Sequence, residues 1–101
     1  MKGKPKTKPI NLKSLGEKLA KIDRHIVVTL KKRMDLAKMV ARCKIQQGKQ
    51  PILRKDIEEE RLRQVVVWAE EEGLNPDFAQ SILYMIICES CRIQINEMQK
   101  Q

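Results

Sequence analysis

From Leu12 onward, apolar residues recur three and four positions apart: Leu15, Leu19, Ile22, Ile26, Leu30, Ala37 and Val40 hold this alternation to about Gln47 with no residue that ends a helix. Such spacing predicts one amphipathic helix. Asn11 stands where an N-cap oxygen accepts from free backbone N–H groups, and Gly48 where a helix can stop in a left-handed turn. The stretch Gly48 to Pro51 leads to a second helix, begun near Asp56 because Asp56 and Glu59 have capping-box spacing, and ended by Gly73. Asn75 followed by Pro76 forms an N-cap and first-turn pair for a third helix running to about Met98. The predicted fold class is all-α, a three-helix chain with a long first helix.

A first helix of roughly 36 residues is about 54 Å long, whereas a compact chain of this size has a radius of gyration of only about 13 Å. One chain cannot bury such a helix along its whole length. A second copy whose long helix packs beside the first can, so the pattern predicts an intertwined two-fold homodimer. The competing expectation is a monomer whose first helix breaks near Gly16 or at Lys31-Lys32.

Polar residues interrupt the apolar stripes at particular places. Arg33 follows Ile26 by seven and Lys44 follows Ala37 by seven. Eleven residues at 100° each make three turns plus 20°, so Arg33 and Lys44 share a face about 16 Å apart. Glu58 precedes Leu62, Val65 and Ala69 by four, seven and eleven, on the inner stripe of the second helix. Ile86, Ser90 and Gln94 are four apart, which turns Ser90 and Gln94 inward on the third. Any one of these fits a snorkelling chain or a bond to backbone. Two cations, a carboxylate, a hydroxyl and an amide on three inner faces must share hydrogen bonds or hold a ligand, because an unpaired buried charge is too costly. Helical bundles build their sites in such interiors.

Composition narrows the class of ligand. The formal charge is +8 over 101 residues, but Lys2, Lys4, Lys6 and Lys8 carry four of those charges on a stretch broken by Gly3, Pro5 and Pro9. Residues 1–10 therefore read as a disordered basic tail, and 11–101 as one helical domain. Nucleic acid is an unfavoured partner because Glu58, Glu59, Glu60, Glu70, Glu71 and Glu72 stud the second helix and repel phosphate. The longest apolar run, Ile82 to Cys88, is about a third of a membrane span, so no membrane partner is expected. Cys43, Cys88 and Cys91 fall within apolar helical patterns and read as reduced core thiols of a cytoplasmic protein with no secretory signal. A lone CxxC and a single histidine, His25, do not make a four-ligand metal site, so no metal is expected.

Taken in order, Ile22-Asp23, Arg33-Met34, Lys44, Pro51-Ile52, Glu58, Gly73-Leu74, Glu89-Ser90 and Gln94 resemble the all-helical chorismate mutases over residues 12 to 98. The resemblance implies an isomerase of aromatic amino-acid biosynthesis, an intertwined dimer that converts the dianion chorismate to prephenate in one pericyclic step without a cofactor. It assigns Arg33 to a substrate carboxylate with Ser90 assisting, Lys44 and Gln94 to the ether oxygen, and Glu58 to the ring hydroxyl. Three positions depart from the family pattern. Gly16 replaces an arginine that reaches the partner's site, Ile57 replaces an arginine before the glutamate, and Arg54 replaces a carboxylate. Arg54 and Arg61 share the helical face of Ile57, so either can return the missing charge, and Arg54 joins the candidate substrate-binding set. The stretch Trp68 to Leu74 and Arg33-Met34-Asp35 also resemble the isochorismate-pyruvate lyases, which use the same fold. A catalytically weak or inactive binding domain of this family is the third expectation.

Overall fold

The computed structural model describes residues 9–48 and 54–100, which form three helices: α1 (Leu12–Gln46), α2 (Lys55–Glu71) and α3 (Pro76–Gln99). Most of the basic tail and the Pro51-Ile52 pair lie outside the described residues.

Side-chain caps start two of the helices. Asn11 Oδ1 accepts from the N–H of Ser14 at 3.1 Å, and Asn75 Oδ1 accepts from that of Phe78 at 3.1 Å, with Pro76 in the first turn. Gly73 (φ 72°) ends α2 in the left-handed conformation that spares glycine a steric penalty, and the Leu74 N–H closes back on the carbonyl of Ala69 at 2.8 Å. The start of α2 differs from expectation. The helix begins at Lys55, with Arg54 at the N-cap and no side-chain cap bond. Asp56 and Glu58 lie inside the first turn, where carboxylates favour the positive end of the helix dipole rather than capping it.

The first helix is unbroken at Gly16 and at Lys31-Lys32, running 35 residues, or about 52 Å. Helix α3 packs against both α1 and α2. The core is small: among the described residues Ala37, Ala41, Ala69, Ala79 and Ile87 are the buried apolar ones, and no large side chain is fully enclosed. Alanines let the helix axes approach closely but bury little area, so a single chain gains modest hydrophobic stabilisation. Apart from Ser14, every residue from Leu12 to Thr29 is exposed. The radius of gyration is 19.9 Å and the chain extends 74 Å along its longest axis, far from the ~13 Å of a compact domain of this length. Cys43 and Cys88 correct the expectation of core thiols: both are exposed, because the faces they occupy have no covering element within the chain. Among the described residues no helix is long and apolar enough to cross a membrane.

Candidate active site

Because α3 contacts both other helices, its inner face is where side chains from α1 and α2 meet. Helix α1 brings Arg33 and Lys44, α2 brings Glu58, and α3 brings Ser90, Cys91 and Gln94; all are half-buried except Gln94, which is 8% exposed. The Lys44 ammonium donates to Oε1 of Gln94 at 3.2 Å. Since an ammonium has no acceptor to offer, the contact sets the amide with its oxygen toward Lys44 and turns Nε2 away, ready to donate to another group. Across the face, Oε2 of Glu58 receives the Cys91 thiol at 3.6 Å, a length suited to a sulfur donor.

The charges around this cluster are unbalanced. Burial depresses the pKa of Arg33, and the neighbouring Arg61 guanidinium depresses it further, against a pull from Cys91. Lys44 is likewise lowered, first by burial and then by Arg54, with Cys91 and Glu58 acting in the opposite sense. Cys91 is therefore close enough to feel both α1 cations, and its own pKa is raised, chiefly by burial and then by Glu58. Four acids elsewhere are paired with cations: Asp35 with Lys31, Glu60 with Arg63, Glu89 with Arg92 and Glu97 with Arg42. Among the described residues Arg33 has no carboxylate within 4 Å.

The structure thus brings Lys44, Gln94, Glu58 and Arg33 around one face of α3. Ser90 sits on that face one turn before Gln94. Arg54 stands exposed at the rim, at the mouth of α2, and acts on Lys44 through its charge. Arg61 takes the corresponding place beside Arg33. The sequence pattern did not single out Cys91. Its position three before Gln94 on the same helical face was the available signal.

Three helices thus bring half-buried cations, one carboxylate and one amide together on the inner face of α3. The family model of chorismate mutase type II matches residues 15–95, and the chain belongs to that family. No curated protein matches the chain.

Proposed function

We propose that the chain is a chorismate mutase acting as a homodimer, with the cation excess at the site as the observation that carries the reading. Arg61 acts on Arg33 and Arg54 acts on Lys44, each as a like charge, while Glu58 is the one carboxylate acting on Lys44; this repulsion favours a ligand that brings negative charge. Chorismate is a dianion. Its rearrangement breaks a C–O bond and forms a C–C bond in one step, so the protein's task is to hold the compact conformer and stabilise charge growing on the ether oxygen. Arg33 clamps a carboxylate with Ser90 beside it, and Arg61 supplies the cation that Ile57 lacks. Lys44 and the Nε2 of Gln94 donate to the ether oxygen, with the 3.2 Å contact from Lys44 to Oε1 fixing which end of the amide is the donor. Glu58 accepts from the ring hydroxyl, and Arg54 holds the outer carboxylate.

The second copy is argued from the exposed stripe. Leu15, Leu19, Ile22 and Ile26 are 42–61% exposed. Covering a large apolar side chain contributes about 1.5–3 kcal/mol when complete, so these four half-exposed residues give only about 3–6 kcal/mol. Association costs roughly 4–15 kcal/mol, so the interface must also take in Leu36 and Val40, which continue the stripe along α1. A second chain's α1 laid along that stripe would cover them.

A steady-state assay offering chorismate and isochorismate separately tests the reading. Chorismate loss with prephenate formation is expected. Pyruvate release from isochorismate alone identifies the lyase instead, and inertness toward both, with no calorimetric binding of a bicyclic transition-state mimic, overturns the proposal in favour of an inactive domain.

A further inference from the structure

Cys91 stands at the centre of the candidate site and has no part in the roles given above. It lies on α3 next to Ser90 and one turn before Gln94, half-buried, with its sulfur 3.6 Å from Oε2 of Glu58. Glu58 sits in the first turn of α2, has no ion pair within 4 Å among the described residues, and hangs from a flexible side chain with three rotatable bonds. A carboxylate that must accept from a ligand hydroxyl with one oxygen needs the other held.

We propose that Cys91 is a positioning residue: its thiol donates to Oε2 of Glu58 and fixes the carboxylate plane, so that Oε1 faces the ligand hydroxyl. This rests on the reading of Glu58 as the hydroxyl acceptor. The thiol suits the task because it is a weak, compact donor, and it leaves the acceptor strength of Oε1 largely intact. Its surroundings keep it protonated, which a donor requires: burial and the Glu58 carboxylate raise its pKa, with Cys88 adding to this from the same helix and Lys44 of α1 opposing it.

Two measurements test the contact and its consequence separately. The contact is read without turnover, by the alkylation rate of each thiol with neutral iodoacetamide at pH 8, followed by mass spectrometry in the intact chain. In Glu58→Gln the carboxylate no longer holds the Cys91 proton, so alkylation at Cys91 is expected to quicken several-fold while Cys43, remote on an exposed face of α1, keeps its rate. Equal rates at Cys91 in both proteins overturn the contact.

The consequence is read from chorismate kinetics. Cys91→Ala is expected to lower kcat/KM by about three- to tenfold, mostly through KM, and Cys91→Ser, which keeps a donor, to restore most of the loss. In a Glu58→Gln background the Cys91→Ala change is expected to have no further effect, because there is no carboxylate left to orient. Equal losses in Cys91→Ala and Cys91→Ser, or an undiminished loss in the Glu58→Gln background, overturn the positioning role and leave packing as the explanation. If the wild-type protein consumes no chorismate, the functional reading fails, and the alkylation result still decides whether the thiol holds Glu58.

Discussion

Lys44 donates to the neutral carbonyl of Gln94, while Glu58 acts on it only as the last of four influences on its pKa. That pairing decides what its removal does. Lys44→Met keeps the length and helix propensity but deletes the donor proposed above for the ether oxygen. Turnover of chorismate is expected to fall a hundredfold or more, on the order of the 2.7–4 kcal/mol that a preorganised donor supplies. Folding stability should fall by about 1–3 kcal/mol, the cost of leaving the buried Gln94 acceptor without this donor. A denaturation midpoint and a turnover number measured on the same variant check this, and a strongly destabilised protein with normal turnover per folded molecule would refute it. At this scale much of the site was legible. Arg33, Lys44, Glu58 and Gln94 betray themselves as polar residues at apolar positions. Cys91 does not, because cysteine is at home on an apolar face, and only the approach of a carboxylate from another helix shows what it touches. Arg61 was legible only as a neighbour of Ile57, since its relation to Arg33 depends on how α2 lies across the bundle.

Between elements, the C-terminal ends of α1 and α3 are clasped by one ion pair. Arg42 Nε donates to Oε2 of Glu97 at 2.7 Å, Lys100 approaches the other oxygen at 3.6 Å, and Glu97 is only 7% exposed. The Arg42 hydrogen bond leads in depressing the Glu97 pKa, with burial opposing and both cations' charges assisting. A carboxylate whose folded pKa lies below its unfolded value, about 4.3, adds stability that is complete above that value and is lost as pH falls through the folded one. Glu97→Gln is therefore expected to lower the thermal midpoint by a few degrees at pH 7, and the gap from wild type should narrow toward pH 3. A gap independent of pH would show that packing, not charge, sets the effect. Helix extents were legible because caps are local chemistry: Asn11, Asn75 and Gly73 act within a few residues of themselves. The start of α2 was misread because Asp56 serves the helix dipole equally well from inside the first turn, and sequence spacing does not distinguish that from a cap. The Arg42–Glu97 clasp was not legible at all, since its partners are 55 positions apart.

For the whole molecule, the sequence made α1 legible as one long helix, and the structure has it continuous with an exposed apolar stripe, which is the ground for proposing a second copy. How two copies cross depends on side-chain fit along the stripe, which no period reveals. Gly16 offers a way to read the arrangement. It lies 17 residues before Arg33, about 25 Å along a rigid helix and far beyond the reach of any side chain to its own site. A Cβ there meets nothing within 4 Å, so larger residues are accommodated. Gly16→Ala should raise stability by about 1 kcal/mol through helix propensity alone and leave kinetics unchanged. Gly16→Arg is expected to add a cation to the partner's site and raise kcat/KM about tenfold. The decisive form is a mixture: Gly16→Arg combined with Lys44→Met in one chain, exchanged with wild-type chains. Each mixed dimer then holds one site with an intact Lys44 and an arginine from the other chain, so activity per wild-type chain should rise above that of wild type alone. No rise per wild-type chain in the mixture, or sedimentation showing a folded monomer at micromolar concentration, would exclude the intertwined dimer.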